Sequence, residues 1–443
     1  MDYTPHTPED IRAMLEVIGA SSVEELFEQI PSELRVKGPL DLPEPMGEAE
    51  VYDLLESMAR ANRATDQLRC FMGGGAYDHY VPAPVRHLAY RSEFSTSYTP
   101  YQPELSQGVL GALFEFQTMI CELSGMDVAN ASLYDGASAL VEAVNLAASV
   151  TGRRRIVISE AINPNYRKVI ETFAKGPGFS VDVIPVTGGQ TNLDSDLADA
   201  ACLIVGQPNF FGVIEDVKEA SDKASAAGAL LICHFDPLSM GILESPRELG
   251  ADVATGEGQS LGNELIFGGP YLGIFATKIE HVRKVPGRIV GATEDVHGAD
   301  GFVLTLQARE QHIRREKATS NVCTNQTLMA IAATVYLSWL GPLGLVELGE
   351  TCMARAHHAA ELLSSVPGCS LAFDAPFFKE FILDLPKDAD EVISGLASRG
   401  FLVGPSLGRL YEGRANQMVV AVTERRSPQD IEGLAKALAE VVA

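Results

Sequence analysis

The sequence predicts an α/β protein: a large domain on a mainly parallel sheet, a small C-terminal α+β domain and an N-terminal helical segment. Three observations lead there. At 443 residues the chain exceeds the about 250–300 residues at which single cores stop growing, so it has room for one large domain and one smaller one. From residue 105 onward, apolar strand-like runs alternate with helix-patterned segments, as right-handed crossovers in a parallel sheet require. The run Leu231-Ile232-Cys233-His234-Phe235 ends in Asp236, placing an acid at the carboxyl edge of such a sheet, where ligand crevices lie.

The elements follow in chain order. Thr7, Pro8, Glu9 and Asp10 supply an N-cap, a first-turn proline and acids at the positive end of a helix dipole. A second helix is expected over residues 48–64, with Val51, Leu54, Leu55 and Met58 on one face, after a proline-bearing connector at 37–45. Residues 71–103 are rich in aromatics, glycine and proline; an irregular segment of that length inside a compact domain tends to be functional. Helices are expected at 105–124 (closed by Gly125), 137–150 and 213–227, and strands at 156–159, 181–185, 201–205, 229–236 and 271–276. Two helices, 325–340 and 345–365, lead to small-domain strands at 370–373, 380–385 and 418–423. The final helix starts at Ser427 with Pro428 and Asp430 in its first turn. The expected division is 1–104, 105–340 and 341–443.

Composition narrows the function classes. The chain is 46% hydrophobic, enough for a sizeable core, and no run of about 20 apolar residues marks a membrane span. Its net charge of −25 argues against nucleic acid, whose phosphates require a basic face. The first 16 residues lack the pattern of a signal or transit peptide. Seven scattered cysteines form no CxxC pair or metal spacing, so reduced thiols in the cytoplasm are expected.

An acid ending a buried strand is what a pyridoxal-phosphate enzyme of the aminotransferase-like fold (fold type I) uses to keep the pyridine nitrogen protonated. Such an enzyme also needs a lysine a short way downstream for its Schiff base. None occurs over residues 237–277. Tyr134-Asp135-Gly136-Ala137-Ser138 leads a glycine into a helix and could free N–H groups for a phosphate, or be an ordinary acid–glycine turn capping that helix. Asp135 would bring a like charge to a phosphate. His234 shares the face of Asp236 by strand alternation, and suits either a site or a hydrogen-bonded core position.

Four strings then carry a family resemblance. Phe71-Met72-Gly73-Gly74-Gly75-Ala76-Tyr77-Asp78-His79-Tyr80-Val81-Pro82 is similar to the P-protein of the glycine cleavage system. So are Glu93-Phe94-Ser95-Thr96-Ser97-Tyr98-Thr99-Pro100-Tyr101-Gln102-Pro103-Glu104, Asn130-Ala131-Ser132-Leu133-Tyr134-Asp135-Gly136, and residues 309–321 from Arg309 to Asn321. The family is glycine dehydrogenase (decarboxylating), and the chain resembles its N-terminal half, that is, subunit 1 of the two-subunit form. The resemblance implies decarboxylation of glycine on pyridoxal phosphate and transfer of the aminomethyl group to the lipoyl group of H-protein.

It also implies that the Schiff-base lysine belongs to a partner, subunit 2, in an α2β2 assembly. Where that half reads Asn-Leu-His-Lys, this chain has Glu257-Gly258-Gln259-Ser260, and the hydroxyl of Ser260 cannot form an imine. Asp135, Gly136, Ala137, Ser138, His234 and Asp236 would then form a vestigial pocket. Tyr98, Tyr101, Lys317 and Thr319 would be lent to the partner's cofactor site, the tyrosines as aromatic walls with hydroxyl handles. Interface packing for the tyrosines and a solvated helix end for Lys317 are the plainer alternatives. A self-sufficient lyase or decarboxylase using Lys278 or Lys317, and a purely structural or regulatory subunit, are the competing functional classes. No metal is expected.

Overall fold

The computed structural model describes residues 5–443. Contacts divide the chain into two units, Met1–Arg63 and Ala64–Ala443. In the first unit, helices Pro8–Ile18 and Glu48–Ala61 form as their caps dictate. Thr7 Oγ1 accepts from the Asp10 N–H at 3.2 Å, and Asp10 accepts from the Thr7 N–H at 2.8 Å, a capping box. Neither helix buries a single residue, and the apolar stripe of Val51, Leu54, Leu55 and Met58 stands exposed.

The second unit is built on a seven-stranded sheet. Its spatial order is Val128–Ala129, Gly273–Thr277, Val253–Glu257, Leu230–Phe235, Ala200–Gln207, Arg155–Ser159 and Ser180–Ile184. All neighbours are parallel except the two pairs made by Gly273–Thr277. This is the expected mainly parallel sheet of fold type I. The helix Gly136–Thr151 carries ten buried residues, because its alanines, leucines and valines run around most of its circumference. The helix expected at 213–227 begins only at Val217, where Asp216 caps it.

Several elements lay outside the expectations. Val253–Glu257 is a wholly buried strand of small residues and one acid, whose alternation gives no signal because both faces are covered. Ile289–Glu294 and Asp300–Thr305 form an antiparallel hairpin. Arg69–Met72 pairs in parallel with Phe401–Gly404, so the segment expected to run as one piece to residue 104 is split, its later part joining the larger unit.

The two helices expected at 325–340 and 345–365 are both present within the helical span Thr327–Ser364, separated by a kink at Gly341, whose backbone is not helical (φ 66°, ψ 174°), beside Pro342. The glycine tolerates the positive φ and the proline lacks an N–H, so the first helix ends there and a second resumes at once. The whole span is also long and apolar enough to cross a membrane by composition. Its inward residues, however, enter two cores: Met329 to Tyr336 that of the large domain, and Ala356 to Leu363 that of the small one. The small domain adds a three-stranded antiparallel sheet (Ser370–Leu371, Glu380–Asp384, Gln417–Ala421) and the helix Pro428–Val442, capped by Ser427 as expected.

Candidate functional site

Asp236 follows the Leu230–Phe235 strand at the sheet's carboxyl edge, and its N–H bonds the Gln207 carbonyl at 3.0 Å. Its carboxylate is already matched. Lys379, at the entrance to the small-domain strand Glu380–Asp384, places Nζ 2.7 Å from Asp236 Oδ2 with its side chain only 2% exposed. The same ammonium lies 3.1 Å from His79 Nε2 and 3.9 Å from the centroid of the Tyr77 ring. His79 Nδ1 in turn meets Glu424 Oε2 at 2.7 Å. Burial alone would raise the Glu424 carboxyl, but the charge and hydrogen bond of His79 and the Tyr80 N–H overcome it and hold the group at about 2.

His234 adopts the plainer of its two roles. Burial pushes its imidazole down to about 4 despite Asp236, its Nδ1 sits 3.1 Å from Thr255 Oγ1, and Tyr166 meets it edge-on. It is a neutral, hydrogen-bonded wall.

The helix start at Asp135-Gly136-Ala137-Ser138 is likewise satisfied from within. Asp135 caps it by accepting from the Ser138 N–H at 2.7 Å. Glu257, at the end of the unforeseen strand, accepts at 3.0 Å from each of three backbone N–H groups: Gly136, Gln259 and Leu272. Burial pushes the Glu257 carboxyl up to about 7, while those donors pull it down. At Gly136 a Cβ would lie 3.1 Å from both Glu257 Cβ and His234 Cε1, so any larger residue would need these neighbours to give by a few tenths of an ångström.

Beside a wider space of about 460 Å³ at the helix start, lined by Asp135, Ala137, Tyr166 and Glu257, what remains between Asp236, His234, Ser260 and Glu380 is a cavity of about 60 Å³. Pockets that take small molecules measure roughly 300–1,000 Å³, so the cavity beside Asp236 is too small for a cofactor ring. Over it runs the Phe71–Pro82 motif as a strap. Gly74 N–H and Tyr77 O–H donate to Glu380 at 2.6 and 3.0 Å, Asn163 Nδ2 donates to the Gly74 carbonyl, and Tyr77 exchanges two hydrogen bonds with the Gln259 amide. Asp78 pairs with Arg425 and Arg426. Gly73 is forced by packing, because a Cβ would fall 1.9 Å from Glu380 Oε1 and 2.7 Å from Ala421 Cβ. With no lysine over residues 237–277, an acid already paired with Lys379 and too little space for a ring beside Asp236, these residues do not fit pyridoxal phosphate.

The family model for the glycine cleavage system P-protein matches residues 1–438. The chain belongs to that family. It is 49% identical to the probable glycine dehydrogenase (decarboxylating) subunit 1 of Carboxydothermus hydrogenoformans, covering 99% of both chains. It is also 49% identical to the protein of the same name in Moorella thermoacetica, covering all of both. Among solved structures it is similar to a P-protein glycine decarboxylase in inhibitor-bound form, at 46% identity, TM-score 0.89 and full coverage of both chains. A Burkholderia pseudomallei sphingosine-1-phosphate lyase, 17% identical with TM-score 0.67 over 93% of this chain and 94% of that one, shares the fold.

In this P-protein chain, Tyr98, Tyr101, Lys317 and Thr319 do not line the small cavity; all four are exposed, Tyr98 at 89%. Buried Arg288 links the two segments that carry them. Its guanidinium donates to Asn325 Oδ1 at 2.7 Å and the Cys323 carbonyl at 2.8 Å, and lies 5.5 Å from the centroid of the Tyr101 ring. Among the described residues Lys317 has no ion-pair partner. Lys278 is spoken for: it pairs with Asp252. It also follows Thr277, which pairs with Val253 at the sheet edge opposite to Asp236.

Sequence reasoning missed Lys379, Glu380, Tyr77 and Glu257 as pocket residues. A signal existed for the first two, a charged doublet between Phe377-Phe378 and Phe381-Ile382, where buried charge demands a partner. His79, Cys352 and Glu424 each bring one ligand atom within 4.8 Å of the others. With the Lys379 ammonium beside His79 and the Cys352 thiol pushed by burial to about 12, the trio is a hydrogen-bonded cluster rather than a cation site.

Proposed function

We propose that this chain is the lysine-lacking subunit 1 of a glycine decarboxylase. Together with a lysine-bearing subunit 2, in an α2β2 assembly, it decarboxylates glycine and passes the aminomethyl group to lipoylated H-protein in the cytoplasm. Pyridoxal phosphate, the electron sink of such reactions, is bound covalently by the partner and not by this chain. The observation that carries this reading is a full-length family match on a chain that has no lysine over residues 237–277 and whose Asp236 is already paired with Lys379.

This chain's contribution is surface. Tyr98 and Tyr101 offer aromatic walls with hydroxyls, Lys317 a cation and Thr319 a hydroxyl for the partner's phosphate. Their exposure and the Arg288 link support that role. Association has its own support in the first unit, where Val17, Phe27, Leu34, Val36 and Leu42 are half or more exposed. Obligate interfaces bury upwards of about 2,000 Å² and are more apolar than the remaining surface. Glycine–bicarbonate exchange tests the whole reading: none from the purified chain alone, restored on mixing with subunit 2. Exchange by the lone chain would defeat it and revive a self-sufficient enzyme. Light scattering that shows no association on mixing would count equally against it.

A further inference from the structure

We infer that this chain has substituted its own side chains for a cofactor, so that its former pocket now clamps its large domain, its small domain and the glycine strap together. The two halves of a cofactor site survive here with their physical demands unchanged. A helix N-terminus with free N–H groups attracts an anion. An acid at a strand end, buried, needs a cation. In this fold an exogenous phosphate and a protonated ring would meet those demands; here the chain meets both.

Glu257 answers the first. Its two oxygens receive the Gly136 N–H at the start of Gly136–Thr151, and the N–H groups of Gln259 and Leu272, all at 3.0 Å. Lys379 answers the second, 2.7 Å from Asp236. The consequence of the second pairing is mechanical, because its partners come from different bodies. Asp236 follows a strand of the seven-stranded sheet, whereas Lys379 precedes the small-domain strand that begins at Glu380; the Glu257 bonds stay within the large domain. His79, Tyr77 and Gly74 belong to the strap that bonds both. A cofactor enzyme of this shape must admit and release ligands between its domains. This chain need not, and a permanently joined pair of domains presents the Tyr98–Tyr101 surface at a constant position.

The test has two arms on the full-length chain, read by thermal unfolding and independent of the glycine reaction. In the first, Lys379→Met, Asp236→Asn and the double variant form a cycle. Removing one charge strands the other in a buried site, so each single variant should lose several degrees of Tm, and the double should recover part of the loss. Additive losses overturn the clamp. A single variant that fails to fold supports it only if the double folds, and failure of all three overturns it. In the second arm, Glu257→Ala frees three buried N–H groups. About 20 mM inorganic phosphate, against chloride of equal ionic strength, should raise the variant's Tm by a few degrees and leave the wild type unmoved. A folded variant indifferent to phosphate overturns the substitution idea, as does a wild type that gains equally. If the variant is recovered only in phosphate, that recovery is the positive result; recovery in neither salt is the negative one.

Discussion

The filled pocket and the tyrosine surface are opposites in every physical respect. In the pocket, each charged group has a partner within the chain and almost no exposure: Lys379 on Asp236, Glu257 on three N–H groups, Glu380 on Gly74 and Tyr77. On the surface, Tyr98 and Lys317 stand in solvent, and the exposed Tyr101 ring lies against the Arg288 guanidinium. Side chains already satisfied internally have nothing left to offer a ligand. Exposed aromatic and cationic groups on a braced frame do. The contrast separates stability from activity: pocket substitutions should cost folding free energy, and surface substitutions should cost turnover.

The largest effect expected is the all-or-none loss of exchange without subunit 2. Next come the surface variants in the assembled enzyme. Tyr98→Phe and Tyr101→Phe keep ring area and delete only a hydroxyl; at least one should slow turnover on the order of 10²–10⁴-fold if that hydroxyl positions or protonates a reacting group. Lys317→Ala should weaken cofactor retention by removing a charge-assisted contact. All three should leave chain stability within about 0.5 kcal/mol, as exposed substitutions do. Unchanged kinetics and cofactor affinity in all three would break the comparison and leave a scaffold.

The pocket's effects are smaller and appear in unfolding. Burial pushes the Glu380 carboxyl up to about 7, with the Gly74 N–H and Tyr77 hydroxyl opposing. A raised folded-state pKa means stability fully present below the ordinary carboxyl range and lost as pH rises through about 7. Urea midpoints should therefore fall between pH 5 and 8, by up to about 3 kcal/mol from this group. Glu380→Gln, which cannot ionise, should flatten that slope; an unchanged slope would show that other groups set it. Gly73→Ala comes last. Its methyl would press on Glu380 Oε1 and Ala421 Cβ, and such overpacking costs about 1–3 kcal/mol, readable as a lowered urea midpoint at constant m.

Much of this was legible in one dimension because local rules suffice for it. The caps at Thr7 and Ser427, the apolar run ending at Asp236 and the helix–strand alternation are properties of neighbours along the chain. The strand Val253–Glu257 was invisible because small residues covered on both faces leave no period to read. The Arg69–Met72 strand was missed because its partner lies more than 300 residues away in sequence.

The sequence by itself determined that this chain is a P-protein subunit of fold type I and that no lysine follows Asp236, since composition and motif survive without coordinates. Only the tertiary structure decided what replaces the missing chemistry. Lys379 lies 143 positions beyond Asp236, and Glu257 lies 121 beyond Gly136. Neither pairing follows from local propensity. The first exists because two packed domains meet there and the second because a helix packs its start on a strand end; in both, a buried charge or N–H group lies where water cannot serve and must find its partner in whatever the fold supplies.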